Sequence, residues 1–376
     1  MKPIVYIDPQ SIRNLAIYDY SLLSHVEGNI HYICSTFYDY LPMPAHIKQY
    51  SLFGYNNKKN NSAKAISYLW SYVRIFFLIL KLRPQLIHIQ WLRIPRFDVL
   101  FLRTIKKLTG SRLVFTAHNV LPHDTGNRHL PTYRNLYQTA DHIIVHTYAT
   151  KQEILRLFSM PEDKVSVIDH GLIQPSFDPD ILKKQENEFE RHYQLDNKMV
   201  FSSLGYQYYY KGVDLLAEVW ATTPELNQND KCKLLLVGKN RGVDLSTVEG
   251  IANVFVEDRL TSDEEFVYLM RHTDVYLLPY RTISQSGVLL TAIYTGTPFL
   301  ATEVGGLTEP LDIAHVGWRI PQLSINTLRE QLLWLLHHPE AVKTAKNNKE
   351  GWDKLRQHYD WKRIGLLTQQ LYQTIL

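Results

Sequence analysis

Short apolar runs alternate with helix-length amphipathic segments along the first half of the chain. The apolar runs have the length and side chains of buried strands, and they lie at residues 3–7, 30–34, 86–90, 112–116 and 142–146. Such alternation predicts a parallel, doubly wound sheet. With a last strand expected within 163–171, the pattern predicts an α/β domain over residues 1–178.

A shift to polar and charged composition follows this region, with Pro175 and Pro179 near its start. Such a shift is typical of a domain boundary, so we expect a linker at 179–197. A second β-α rhythm begins after it and predicts another α/β domain at 198–358. The remaining residues, 359–376, have the pattern of an amphipathic helix.

The most informative stretch is 274–310, which reads as strand, polar loop, helix, strand and loop. In a parallel sheet, ligands bind at the carboxyl ends of strands, so loops 279–287 and 302–309 should face one crevice. A helix that starts near Ser286 and Gly287 would direct free backbone N–H groups at an anion. The stretch therefore predicts a site for a sugar joined to a diphosphate.

Residues 65–82 form an apolar run of about the minimum length for a membrane span. Apolar residues recur in it at helical spacing, namely Ile66, Leu69, Trp70, Val73, Phe76, Phe77 and Leu80. Arg74 in the middle favours a helix that turns this stripe towards the core. A surface helix that leans on a membrane, and a true span, are the alternatives. Lys58, Lys59, Lys64, Lys81 and Arg83 flank the run and suit the surface helix.

Composition narrows the class of protein. A chain of 376 residues with 45% apolar and 21% charged side chains suits two ordered domains. The formal net charge of +4 is too small to indicate nucleic acid as a partner. The start of the chain has no signal-peptide pattern, and Cys34 and Cys232 are far apart. We therefore expect a cytoplasmic protein, and the basic, apolar run at 65–82 allows it to associate with the inner face of the membrane.

Metal binding is not expected. The two cysteines lack metal-ligand spacing. Asp178 and Asp180 form a DxD pattern that could hold a divalent ion, but their place at the start of a helical pattern favours N-terminal capping.

Three motifs in a fixed order resemble those of glycosyltransferase family 4. They are LVFTAHN at 113–119, the strand, turn and helix start at 205–216, and the run from Pro279 through Gly296-Thr297-Pro298 to Gly305-Gly306 and Glu309. The resemblance implies the GT-B fold, with two Rossmann-like domains whose parallel sheets face each other across a cleft. It also implies that the C-terminal helix crosses back to the first domain.

The sequence departs from the family pattern in three places. The signature usually carries two glutamates, but Thr291 occupies the second position and Ile283 or Ser284 the first. The arginine that usually precedes Lys211 is absent, and tyrosines fill that loop. The glycine-rich loop after the first strand is replaced by residues 8–13.

The resemblance implies a donor site on the second domain. Lys211, at a helix start, would clamp the diphosphate. Glu309 would lie at the edge of the site, and Arg259 and Leu260 would border the base. The other expected donor-site positions are Gly205, Gly238, Gln285, Ser286, Gly287, Thr291, Gly305 and Gly306. Nearby, Ser262 precedes Glu265 by three residues, which is the spacing of a capping box. Glu264 and Glu265 are expected to be solvated carboxylates of the first helical turn.

His118 follows a buried strand at its carboxyl end, where a cleft is expected. A histidine in that place is as often a satisfied core group as a functional one. The resemblance favours function, because the family places an AHN-type histidine beside the donor sugar, where it would orient the sugar and stabilise charge. The expected acceptor contacts are Arg13, Trp91, Arg93, Asn119 and His123, although packing and solvation also explain Trp91 and Arg93.

The activity implied by the resemblance is transfer of a hexose from a nucleotide sugar to a glycan or lipid-linked glycan, with retention of anomeric configuration. The nucleotide sugar is a co-substrate, and neither a cofactor nor a metal is expected. Cell-surface polysaccharide biosynthesis is the expected context. Two alternatives remain open, a catalytically inactive protein that binds a sugar nucleotide or a partner, and a nucleotide-sugar epimerase.

Overall fold

The computed structural model describes residues 2–122 and 126–376. The chain forms two compact units. Unit 1 consists of residues 1–171 and 359–376, and unit 2 of residues 172–358.

Unit 1 is built on a seven-stranded parallel sheet in the order β3-β2-β1-β4-β5-β6-β7. Its elements are β1 Ile4–Ile7, α1 Asn14–Leu23, β2 Ile30–Ser35, β3 Ile47–Phe53, α2 Asn61–Leu82, β4 Leu86–Ile89, α3 Pro95–Thr109, β5 Arg112–Ala117, α4 Leu130–Thr139, β6 His142–Val145, α5 Tyr148–Phe158 and β7 Val165–Val167. All six predicted strands are present, including the last one, β7. Strand β3 was missed by the sequence analysis. The strand order reverses between β1 and β4, which makes that point the topological switch point of unit 1.

Side chains of β1 alternate between two cores, one on each face of the sheet. Val5 and Ile7 pack with α2 to α5, whereas Ile4 and Tyr6 pack with α1 and the C-terminal helix. Alternation is expected, because successive side chains of a strand point to opposite faces. Unit 1 therefore has three layers, with the sheet in the middle.

The C-terminal helix, α15 Trp361–Ile375, belongs to unit 1 although the preceding helix belongs to unit 2. Ile364 and Tyr372 lie in the core that α15 shares with α1. The Tyr372 hydroxyl is hydrogen-bonded to Nδ1 of His88 on β4. A side chain at Gly365 would overlap His25, so glycine allows the close approach of this helix.

Unit 2 has a six-stranded parallel sheet in the order β10-β9-β8-β11-β12-β13. Its elements are α6 Pro179–Tyr193, β8 Met199–Leu204, α7 Val213–Ala221, α8 Pro224–Asn227, β9 Cys232–Val237, β10 Val254–Glu257, α9 Asp263–His272, β11 Val275–Leu278, α10 Gly287–Thr295, β12 Phe299–Thr302, α11 Pro310–Ile313, β13 Gly317–Ile320, α12 Ile325–His337, α13 Pro339–Lys346 and α14 Lys349–His358. The strand order reverses between β8 and β11, which is the switch point of this unit.

The segment expected as a linker is helix α6 for most of its length. The helix belongs to unit 2, where Leu182, Phe189 and Tyr193 are buried, so its polar composition is that of a helix with one apolar face. The Asp178 side chain accepts hydrogen bonds from the Asp180 and Ile181 N–H groups, at 2.8 and 3.4 Å. The capping interpretation of the DxD pattern is confirmed.

Helix α2 turns a different face to the core from the one the sequence predicts. Its buried residues are Tyr68, Ser71, Tyr72, Ile75 and Ile79. The apolar residues Ile66, Leu69, Trp70, Val73 and Phe77 are exposed instead, and we call them the outer stripe of α2. Hydrogen bonds fix the inner face: Tyr68 donates to Asp98 at 3.0 Å and Ser71 to the Leu52 carbonyl at 2.8 Å. Of the seven predicted stripe residues only Phe76 and Leu80 pack against the core, so the prediction was wrong for the other five.

Candidate functional site

Two loops flank the switch point of unit 2, 205–212 after β8 and 279–286 after β11. They are in direct contact, because Arg281 N–H donates to the Tyr210 carbonyl at 2.7 Å. Gly212 has a φ of 68°, and a side chain there would overlap the Pro279 carbonyl oxygen. Glycine is therefore needed where the two loops meet.

Lys211 is the buried cation of this site. Its side chain is only 7% exposed, and its ammonium lies 5.8 Å from the centre of the Tyr280 ring. Burial lowers the pKa of Lys211 to about 8. Within residues 2–122 and 126–376, the ammonium has neither an ion pair nor a hydrogen bond. A desolvated cation without a carboxylate partner is well suited to receive an anionic ligand.

Two residues of this site were not singled out from the sequence. Tyr280 is buried and lies under the Lys211 ammonium. Arg281 makes a bidentate ion pair with Asp214, in which both N–O distances are 2.7 Å. Its guanidinium carbon lies 4.0 Å from the centre of the Tyr209 ring. Only non-local contacts distinguish them from ordinary loop residues, so the sequence carried no signal for either.

The second predicted loop, 302–309, contacts loop 279–286. Gly306 N–H donates to the Ser284 carbonyl at 3.1 Å. Gly305 has a φ of 54°, and a side chain there would overlap the Ile283 carbonyl oxygen. The structure thus brings the two loops together, and Gln285 lies half-buried between Ser284 and the start of α10.

Helix α10 starts at Gly287, one residue after the buried Ser286. The first N–H groups of a helix lack intrahelical partners and carry the positive end of its dipole. Thr291, at the position of the second motif glutamate, is buried and donates to the Gly287 carbonyl at 3.3 Å. Glu309 is half-buried and immediately precedes α11.

Gly205 and Gly238 end the adjacent strands β8 and β9. Gly238 has a φ of 152°, and a side chain there would overlap the Gly205 carbonyl oxygen. The close approach of the two strand ends therefore requires glycine at position 238, whether or not a ligand binds there.

Arg259 is held by carboxylates of its own unit. It contacts Glu257 at 2.9 Å and Glu265 at 2.6 Å. Glu265 also accepts from Tyr193 at 2.6 Å and is only 4% exposed, so the prediction of a solvated carboxylate was wrong. Ser262 caps α9 as expected, but Glu265 bonds to Arg259 instead of completing the box. Leu260 is 53% exposed and accessible to a ligand.

In unit 1, His118 lies at the carboxyl end of β5 in a cluster of aromatic rings. It stacks on Trp91 with a centroid distance of 4.7 Å and an interplanar angle of 6°. Its Nε2 is 2.8 Å from the Gln90 side chain, and its Nδ1 is 3.2 Å from His146 Nε2. Burial lowers the pKa of His118 well below its usual range, and the nearby His146 acts in the same direction.

The hydrogen bonds determine the protonation of this cluster. Burial also lowers the pKa of His146, to about 4, so both rings are neutral at pH 7. His146 Nδ1 must donate to the Ile168 carbonyl, 2.8 Å away. The Gln90 amide oxygen faces His118 Nε2, and the Gln90 amide nitrogen donates to the Thr116 hydroxyl at 3.2 Å. Both ring nitrogens of His118 thus have hydrogen-bond partners. A hydrogen bond from His118 to a ligand would have to replace one of these two bonds.

The loop after β4 holds two predicted acceptor residues. Trp91 is half-buried against His118. Arg93 is exposed, lies over the Tyr55 ring at 5.7 Å, and its N–H donates to Asp98 at 2.8 Å. Burial raises the pKa of Asp98 to about 7, against the effect of its hydrogen bonds.

The remaining acceptor candidates are spread over other loops. Arg13 is exposed after β1, with a left-handed φ of 54°, and its N–H donates to Asp39 at 2.7 Å. Asn119 is half-buried next to His118. His123 lies outside the described residues. Among the residues that the structure describes, no group of three or more His, Cys, Asp or Glu side chains is arranged to hold a metal ion.

Comparison with known solved structures gives strong matches in fold. Sucrose-phosphate synthase from Thermosynechococcus elongatus matches with a TM-score of 0.72 at 18% identity, covering 100% of this chain and 99% of that one. Anabaena HepE in complex with UDP-glucose matches with a TM-score of 0.69 at 13% identity, covering 99% of both chains. The fold is GT-B.

Two curated relatives are similar in sequence. An uncharacterized glycosyltransferase of Methanocaldococcus jannaschii is 28% identical over 187 residues, which are 48% of this chain and 47% of the relative. The gpi3 subunit of the phosphatidylinositol N-acetylglucosaminyltransferase of Schizosaccharomyces pombe is 26% identical over 284 residues, 71% of this chain and 56% of the relative. The match spans about half the length of each relative.

Two family models match successive parts of the chain. The model described as Glycosyltransferase Family 4 matches residues 33–172, and the model described as Glycosyl transferases group 1 matches residues 197–338. Together they cover most of both units and follow the order in which the motifs occur. The chain therefore belongs to glycosyltransferase family 4, the group 1 glycosyl transferases.

Proposed function

We propose that the protein is a retaining glycosyltransferase that moves a hexose from a UDP-sugar to a hydroxyl group of a glycan or lipid-linked glycan, in the assembly of a cell-surface polysaccharide. Family membership supports the reaction class. Because one structural neighbour was solved in complex with UDP-glucose, UDP is the first nucleotide to test. The observation that carries the donor site is Lys211, a buried cation at the switch point of unit 2.

In this reaction the bond between the anomeric carbon and the diphosphate breaks, and a bond to the acceptor oxygen forms. The acceptor proton leaves with the diphosphate, on which negative charge develops. Lys211 and the free N–H groups at the start of α10 would stabilise that charge by an electrostatic mechanism. Since the protein itself supplies the positive charge, we expect transfer to proceed without added divalent metal and in the presence of EDTA.

The residues around Lys211 suit the rest of the donor. Gln285 and Ser286 would hydrogen-bond to hydroxyls of the sugar, in place of the motif glutamate. Gly305 and Gly306 would bring backbone close to the diphosphate, and the exposed Leu260 would contact the base. In unit 1, the loops after β1 and β4 would bind the acceptor, and His118 would orient the reacting sugar.

The test is a nucleotide-release assay with UDP-glucose, UDP-galactose and UDP-N-acetylglucosamine, with and without a pool of glycan acceptors. We expect acceptor-dependent release of UDP and an α-linked product by proton NMR. Lys211→Gln should lower kcat/KM by 10- to 100-fold, because one charge-assisted bond is worth about 1.5–3 kcal/mol. The matched control is Lys183→Gln, which changes an exposed lysine of α6. Full activity of both Lys211→Gln and His118→Ala would contradict the assigned roles.

A second function is favoured by the residues at the two glutamate positions. None of Thr291, Ile283 and Ser284 has a carboxylate, and the Thr291 hydroxyl is occupied inside α10. A protein that binds a sugar nucleotide without turning it over fits these residues. Binding of a UDP-sugar without UDP release, over the whole acceptor pool, would identify it.

A further inference from the structure

The outer stripe of α2 is exposed although it is the most apolar part of the helix. Ile66, Trp70 and Phe77 are 68%, 63% and 66% exposed, and Leu69 and Val73 are 39% and 42% exposed. They recur every three or four residues, so they share one side of a helix about 33 Å long. Contiguous exposed apolar surface of this kind usually marks a binding surface.

The surroundings of this stripe are strongly basic. Residues 58–112 contain twelve lysines and arginines but a single acidic residue, Asp98. Of the twelve, Lys106 and Arg112 are paired with Asp141 of the neighbouring segment. Asp98 is buried and accepts hydrogen bonds from Tyr68 and from the backbone, so it does not offset the charge at the surface. On α2, Arg74 and Lys81 are exposed beside the stripe.

Helix α3 packs beside α2 on the same face of the sheet, because both contribute to the same core. Its exposed positions include Arg96, Leu100, Arg103 and Lys107, which share one side of the helix. Between α3 and α4 lies a cavity of about 310 Å³ lined by Arg96, Arg103 and Arg128. On the outer surface formed by α2 and α3, the apolar outer stripe of α2 therefore lies beside the basic side of α3.

We propose that this surface binds an anionic lipid bilayer, with α2 lying in the plane of the interface. The outer stripe would enter the boundary between head groups and acyl chains. Arg74, Lys81 and the arginines of α3 would contact lipid phosphates. Apolar burial and attraction to anionic lipids are the two contributions that hold interfacial helices on membranes. The proposal concerns unit 1 alone and is independent of the donor.

Two other occupants fit less well. A second copy bound through the same surface would form an isologous contact and would place basic residues against basic residues. Helix α2 is long and apolar enough to cross a membrane. However, Tyr72, Ile75 and Ile79 belong to the core of unit 1, and a span would remove them from it.

The first experiment is flotation of the full chain with vesicles of phosphatidylcholine, with or without 30% phosphatidylglycerol. We expect binding to the anionic vesicles only, and weakening at high salt. The double variant Trp70→Ser/Phe77→Ser should bind on the order of 100-fold less, and Arg74→Gln/Lys81→Gln roughly 30-fold less. The controls are Leu366→Ser, 53% exposed on α15, and Lys183→Gln/Lys184→Gln on α6.

A site-specific probe makes the result independent of folding defects. Cys34 and Cys232 are both buried, so a cysteine introduced by Trp70→Cys can be labelled selectively with an environment-sensitive dye. Anionic vesicles should shift its emission to the blue and leave a Leu366→Cys label unchanged. The proposal is overturned if neither label responds, if both respond equally, or if the Trp70→Ser/Phe77→Ser variant dissociates a dimer in sedimentation without lipid.

Discussion

Replacement of Lys211 by methionine should stabilise the free protein while it weakens nucleotide binding. The side chain is 7% exposed, and its pKa is lowered from 10.5 to about 8 by burial. The difference of about 2.5 pKa units corresponds to about 3.5 kcal/mol, at about 1.4 kcal/mol per unit. Methionine has a similar length and no charge, so it would remove most of this cost.

The sign of the pH dependence follows from the direction of the shift. Because the folded pKa lies below the unfolded one, the cost is fully present below about pH 8. It declines as the pH rises towards 10.5, where the lysine is neutral in both states. The stability advantage of Lys211→Met should therefore be largest at pH 7 and should shrink above pH 8.

Urea-dependent hydrogen exchange read by mass spectrometry measures this effect for unit 2 alone, through peptides that contain β8 and β11. We expect the free energy of unfolding of Lys211→Met to rise by about 2–3 kcal/mol at pH 7. Lys183→Met, at an exposed position of α6, should change it by less than about 0.5 kcal/mol. Equal stability of Lys211→Met and wild type at pH 7 would refute the reasoning, since Lys211 would then be solvated.

Three further results are expected. Gly238→Ala should destabilise unit 2 by several kcal/mol in urea unfolding, whereas Gly242→Ala, also at positive φ but facing open space, should cost about 1 kcal/mol. Tyr372→Phe should remove the bond to His88 and cost about 1–2 kcal/mol, measured by hydrogen exchange in α15. Because the pKa of His146 is lowered to about 4 in the folded state, His146 destabilises the fold as the pH falls from 6.5 to 4. The free energy of unfolding of His146→Phe should therefore fall less steeply with pH than that of the wild type. The two slopes should differ by about 1.4 kcal/mol per pH unit.

The sequence predicted the order of strands and helices well, because periods of 2 and 3.6 residues are local signals. Strand β3 was missed, since Ile47–Phe53 includes several polar and partly exposed residues. Residues 179–193 were assigned to a linker, but they form helix α6. Its few buried residues, such as Phe189 and Tyr193, are separated by charged ones.

For helix α2, hydrophobic periodicity does not decide which face is buried. The helix carries two candidate inner faces, and the more apolar one points to solvent. The choice depends on Asp98 and the Leu52 carbonyl, which bind the hydroxyls of Tyr68 and Ser71. Both partners are distant in sequence, so no local pattern contains this information.

The same limit applies to the candidate site. The positions of loops 279–286 and 302–309 follow from the strand order, and the sequence predicted them. The ion pair of Arg281 with Asp214 and the burial of Glu265 by Tyr193 join residues about 70 positions apart. Such contacts decide which charged residues are free to bind a ligand, and they require the folded chain.

The most direct test of the central claim is calorimetric titration of UDP, GDP and ADP into the wild type and Lys211→Met, in buffer with EDTA. We expect one diphosphate, UDP first, to bind the wild type and to bind Lys211→Met at least 10-fold more weakly, the loss of about 1.4 kcal/mol or more. Equal affinity of both proteins for every nucleotide, or binding of none by the wild type, would contradict a diphosphate site built on Lys211.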